Sequence, residues 1–128
     1  MSYHYSKTLD LPFEQAIEKT TAALEEEGFG ILTEIDVKST LKKKLDVDFR
    51  KYRILGACNP GYAHQALSLE SHIGVMLPCN VIVQEHENGE VEVSAVDPMA
   101  SMQAVENENL NDVAQKVQSL LKKVIDSL

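Results

Sequence analysis

The sequence predicts an α+β fold: a small two-layer sandwich, with a mainly antiparallel sheet of about five strands and helices packed on one face. Three observations predict it. Core-type residues recur at helical spacing over Phe13, Ala16, Ile17, Thr20 and Leu24, and again over Leu110, Val113, Ala114, Val117, Leu121, Val124, Ile125 and Leu128, which marks two amphipathic helices. Between them several short segments alternate apolar and polar residues with the period of a half-buried strand. Asn88-Gly89 lies inside one such stretch and signals a tight hairpin, so its flanking strands run antiparallel.

The elements follow in order. Residues 3–8 alternate Tyr, His, Tyr and Ser and read as a first strand. Pro12 suits the first turn of a helix, where its missing N–H costs nothing, and Gly28 is a good stop, so a helix covers about 12–27. Phe29, Ile31, Thr33, Ile35 and Val37 alternate as a second strand, with Glu34 and Asp36 on its opposite face. Residues 39–45 form a short helix with Ser39 or Thr40 as its cap. A third strand over 49–57 ends in Gly56-Ala57-Cys58-Asn59-Pro60-Gly61, which has strong turn chemistry. A short helix over 61–70 turns Ala63, Ala66, Leu67 and Leu69 inward. A fourth strand spans 75–85, and Pro78 within it implies an edge, a strand start or a bulge. The fifth strand runs from about 90 to 96 and ends at Asp97-Pro98; residues 98–109 are irregular or a single short turn before the last helix.

The hairpin register can be argued. A two-residue loop would put Asn80, Ile82, Gln84 and His86 on the face of Val91, Val93, Ala95 and Asp97, mixing polar and apolar. A three-residue loop, Glu87-Asn88-Gly89, puts Gly at the left-handed position. It also gathers Cys79, Val81 and Val83 with Val91, Val93 and Ala95 on one apolar face, as a half-buried sheet requires. This second register places Cys79 opposite Asp97. A carboxylate on an otherwise apolar face needs a partner: a backbone cap, an arginine, a metal or a hydroxyl.

The chain has 128 residues, 44% of them hydrophobic and 25% charged, the ordinary globular mix for a single domain over residues 1–128. Its net charge of −8 makes it a poor nucleic-acid binder. No apolar run is long enough for a membrane helix. Met1-Ser2-Tyr3-His4-Tyr5 lacks the charged lead and apolar block of a signal peptide. Two cysteines are too few for a disulfide scaffold, so the expected location is cytoplasmic, with reduced thiols. Basic residues cluster at Lys38, Lys42, Lys43, Lys44, Arg50, Lys51 and Arg53, opposed locally by Asp46 and Asp48. That window is either a patch for a small anion or the solvated face of a lysine-rich helix.

Cys58 and Cys79 share one local vocabulary, Cys58-Asn59-Pro60 and Pro78-Cys79-Asn80, each at a strand end. Two such ends can converge on one pocket. The thiols are then buried and structural, reactive or redox-active, or metal ligands; Cys58, Cys79 and Asp97 with His64 or His72 would suit zinc. The histidines share no spacing, and Met76, Met99 and Met102 read as gap-fillers.

With Tyr52 through Pro60, Gly74 through Val81, Gly28-Phe29, Glu34-Ile35-Asp36, Ala63, Ala66-Leu67 and Asp97-Pro98, the chain resembles the bacterial and archaeal "domain of unknown function 302" family over almost its whole length. The resemblance implies a small two-layer α+β fold, a single domain often packed as a dimer, and no settled reaction, substrate or cofactor. Its matched positions cluster at Glu34, Asp36, the two Cys-Asn motifs, Asp97 and Pro98.

The expected function is a small-molecule or metal-binding module. Cys58, Cys79 and Asp97 would be the reactive groups, and Glu34, Asn59 and Asn80 would bind a ligand or cofactor. Cys58, Cys79, Asp97 and His64 would be metal ligands. A homodimer and a small anionic ligand are the expected partners, with neither nucleic acid nor membrane. The rival expectations are a thiol-dependent enzyme or redox protein, and an interaction module with inert cysteines.

Overall fold

A computed structural model describes residues 2–128; Met1, and with it the start of the segment read as lacking a signal peptide, lies outside the described residues. The elements are β1 (His4–Leu9), α1 (Phe13–Glu26), β2 (Gly30–Asp36), α2 (Val37–Leu45), β3 (Tyr52–Cys58), α3 (Pro60–Leu69), β4 (Cys79–Glu85), β5 (Val91–Val96), α4 (Pro98–Ser101) and α5 (Asn111–Ser127), with 3-10 turns over Ser71–Met76 and Glu108–Leu110. The strands form one antiparallel sheet in the order β1-β5-β4-β3-β2. The α+β expectation therefore holds.

One face of the sheet is apolar. Leu55, Val81, Val83, Val91, Val93 and Ala95 are buried there together with Phe13, Ile17 and Leu24 of α1 and Val117, Leu121 and Val124 of α5. Burial of this kind contributes about 25 cal/mol per Å² of apolar surface and supplies most of what holds α1 and α5 on the sheet. The hairpin has the three-residue loop: Val83 pairs with Val93, His86 N–H donates to Glu90 O, and Gly89 adopts a φ of 87°. α1 ends as glycine chemistry dictates. Gly28 has φ 86°, Gly28 N–H donates to Glu25 O and Phe29 N–H to Leu24 O, the paired bonds of a Schellman stop.

Four local expectations are corrected. α2 begins at Val37, and its cap is Asp36, whose carboxylate accepts Ser39 N–H at 3.0 Å; neither Ser39 nor Thr40 caps it. β2 is an edge strand with a register shift between Ile31 and Thr33, so its alternation does not translate into one buried face, and Ile35 stays 47% exposed. β4 starts only at Cys79, because residues 71–76 coil into the 3-10 turn before Pro78. In α3 only Ala66 is buried, while Leu67 and Leu69 are 44% and 43% exposed; a ten-residue helix over the sheet's end has one narrow inward edge.

Candidate functional site

Register sets the end of β3 beside the start of β4, but the expected pairing of the two cysteines is not formed. β3 ends at Cys58, β4 begins at Cys79, and the ladder pairs Ala57 with Cys79. Pro60 opens α3 directly after Asn59, and Pro78 precedes β4, where it displaces no ladder donor. Cys58, Asn59, Pro78 and Cys79 accordingly line one cavity at this end of the sheet, closed by Tyr62 and Ala66 of α3, Met102, and Val113 and Val117 of α5. No charged side chain lines it. Its free volume is about 40 Å³. That admits a water or two and falls far below the roughly 300 Å³ at which small-molecule sites begin.

The two thiols differ. Both are free, with no disulfide between them. Cys79 is buried, and burial, with repulsion from Cys58 added, pushes its thiol up to about 11. Thiolate is the nucleophilic form, so Cys79 is almost wholly protonated and inert near neutral pH. Cys58 is only half-buried.

Asp97 has the partners its position demands, but they are structural. Its Oδ1 accepts Met99 N–H at 3.0 Å as the cap of α4, and Gln118 Nε2 donates to the same oxygen at 3.0 Å. The β4–β5 register is the expected one, but its paired residues end at Val81 and Ala95, one step short of Cys79 and Asp97. Asp97 N–H donates to Tyr3 O at 2.8 Å, and the strand leaves there into α4. Tyr5 lies beside this carboxylate; burial first, and then the Asp97 charge, raise its hydroxyl above the ordinary tyrosine value.

The metal set is not assembled. Among the described residues no three His, Cys, Asp or Glu side chains are arranged to hold an ion. His64 is exposed on α3, Asp97 is committed to its cap, and only Cys58 and Cys79 reach the cavity. The expected zinc site is therefore not seen among the described residues.

The other candidates separate. Asn59 stays at the cavity wall, where its Nδ2 donates to Glu27 O at 3.4 Å and lies 3.1 Å from where a side chain on Gly28 would begin. Asn80 pairs with Gly56 and is exposed; it lines a groove with Tyr52, Ile82 and Gln84, on the sheet face away from the helices. Glu34 binds Arg53 at 2.7 Å, and Glu14 and Asp36 complete that cluster at 3.2 and 3.7 Å. Burial disfavours the Arg53 charge, yet the three carboxylates outweigh it and raise the guanidinium's pKa.

The basic window is largely consumed within the chain. Lys38 donates to Phe49 O, Lys42 pairs with Asp46, and Arg50 donates to Gln84 and lies over the Phe49 ring. It lies apart from the cavity, whose lining has no cation to hold the small anion expected. Sequence reasoning missed Tyr62 and the role of Met102; the legible signals were the α5 stripe with Leu110 and the inward reading of Ala63 and Ala66.

The family model for "Domain of unknown function DUF302" matches residues 5–128. The crystal structure of an uncharacterized conserved protein DUF302 from Bacillus stearothermophilus is similar to this chain at 28% identity, with a TM-score of 0.91 and coverage of 98% of each chain. No curated protein matches.

Proposed function

The chain belongs to the DUF302 family, and from that premise we propose that it is a small-molecule-binding module whose ligand is uncharged. The observation that carries this reading is the charge-free, thiol-bearing lining of the cavity where the two cysteine motifs meet. A buried ion is costly without a partner, and this lining offers none. Apolar walls with a few polar groups are the usual composition of small-molecule sites, and because the cavity holds only about 40 Å³, binding requires its wall to give way. Asn59 supplies a polar group at the wall, and Cys58 is the thiol within reach of modification. The inert state of Cys79 favours binding over a dithiol reaction.

The test is titration of ¹⁵N-labelled protein with 1-butanol, butyrate and butylamine. Butanol is expected to move amide signals of Ala66, Cys79 and Val117, with the two ions silent. Equal response to butyrate would overturn the reading. Ala66→Phe, which fills the cavity, is expected to abolish the butanol response in a folded protein.

Two further parts of the proposal concern context. Ile35, Ile54 and Ile82 are adjacent across three strands on the face no helix core covers, and a second copy packed there by two-fold symmetry would bury them. The free thiols suit a reducing, cytoplasmic setting. Among the described residues no helix is long and apolar enough to cross a membrane.

A further inference from the structure

A second cavity, of about 190 Å³, adjoins the first and is lined by Met99, Gln103, Val105, Asn107 and Asn111 besides the wall it shares. That wall consists of Met102, Leu110 and Ala114, which line both spaces. The second cavity also lacks any charged side chain, but it adds amides at its rim. Gln103 and Asn111 are exposed there.

The three wall residues are not equally fixed. Ala114 belongs to the 17-residue α5. Leu110 is buried at 3% exposure. Met102 is half-exposed and follows the last residue of the four-residue α4. Its segment is anchored at both ends. Asp97 caps α4, and Asn107 Nδ2 donates to Leu69 O at 3.0 Å and to Glu70 Oε1 at 3.3 Å. Between those anchors Gln103, Ala104 and Glu106 are exposed. Methionine is unbranched and has three rotatable bonds, so it can change rotamer without moving the backbone.

We infer that Met102 is a movable partition, and that its displacement joins the two cavities into one site for an uncharged amphipathic molecule. This rests on the small-molecule reading above and specifies its ligand. The apolar tail occupies the inner space against Ala66, Val113 and Val117. A hydroxyl or amide end remains at the outer rim beside Gln103 and Asn111. The joined space approaches the lower end of the small-molecule range, which neither cavity reaches alone.

The experiment compares straight-chain primary alcohols from ethanol to octanol on wild type, Met102→Ala and Met102→Ile, by amide shift titration. Met102→Ala removes the partition; Met102→Ile keeps bulk but stiffens it. In wild type, 1-hexanol is expected to move signals around both Val117 and Asn111. Met102→Ala is expected to bind hexanol about tenfold more tightly, a difference of about 1.4 kcal/mol, and Met102→Ile more weakly than wild type. Should hexanol affinity be the same in all three proteins while butanol still reaches Val117, the partition is fixed; the inference falls and the binding site stands. Should no alcohol move either set of signals in any of the three, both fall together.

Discussion

At the scale of single residues, Cys79 carries the clearest consequence. Its thiol titrates near 11 in the fold, against about 8.5 when free. A raised acid favours the native state only while the unfolded thiol is also protonated. The contribution is thus complete below the unfolded value and is lost as pH rises through that value to the folded one. Urea midpoints measured from pH 8 to 11 are expected to fall, with a Cys79→Ala variant falling less by about 2–3 kcal/mol across that range. Alkylation of the native protein at pH 8 should label Cys58 and leave Cys79 unmodified until denaturant is added. Mass spectrometry of the two peptides reads the difference, and equal labelling would contradict the burial of Cys79. Gly56 offers a steric test nearby: a side chain there would collide with Thr33 Oγ1 and Pro78 Cγ. Gly56→Ala is expected to cost about 1–3 kcal/mol, as overpacking does, and to shift β3 against β2.

At the scale of elements, α4 depends on one carboxylate. A helix of four residues is far too short to persist by propensity. Asp97 supplies its cap and, through Gln118, ties it to α5. Asp97→Ala is expected to lower stability by about 1–2 kcal/mol, in line with lost caps, and to raise amide exchange over residues 98–106 before the rest of the chain. Asp97→Asn keeps an acceptor for Met99 N–H and should recover most of that loss. Were Asp97 a reacting group instead, both variants would fail alike while exchange stayed unchanged. The Arg53 cluster plays the corresponding role at the β2 edge. It joins α1 to β2 and β3 through Glu14, Glu34 and Asp36, with the guanidinium against the Phe13 ring at 5.6 Å. Arg53 Nε is itself buried without a hydrogen-bond partner. Partly exposed ion pairs contribute little individually, so Arg53→Met should change stability by less than removal of the Asp97 cap.

At the scale of the whole molecule, the helices cover one sheet face and leave the other half-exposed. Ile35, Ile54 and Ile82 form a row across it by register. Sedimentation equilibrium is expected to give a dimer that Ile82→Glu converts to monomer with its fold intact; a wild-type monomer at high protein concentration would remove that part of the proposal. The cavity lies at the sheet's end, so alcohol binding should survive the Ile82→Glu change.

What the sequence determined by itself was most of what local periodicity and turn chemistry govern. The stripes of α1 and α5, the Gly28 stop and the Glu87-Asn88-Gly89 loop follow from steric and burial rules acting over a few residues. Once that loop was set, the apolar pairing of Val81 and Val83 with Ala95 and Val93 followed too. The strand-end positions of Cys58 and Cys79 were legible too, but the pairing expected of them was not formed. The assignment of chemistry to those residues was not legible. That Asp97 caps a helix depends on how β5 leaves the sheet beside the N-terminal strand, where Asp97 N–H meets Tyr3 O. Glu34 stands within 2.7 Å of Arg53, a pairing that no local pattern announces. His64 is exposed on α3, which its spacing does not reveal. Met102 gained its place only because α4, the 3-10 turn at 108–110 and α5 pack around it. Local sequence specifies the elements through short-range sterics and periodic burial. Only the tertiary fold decides which side chains share a cavity, because that depends on contacts between segments that carry no record of one another.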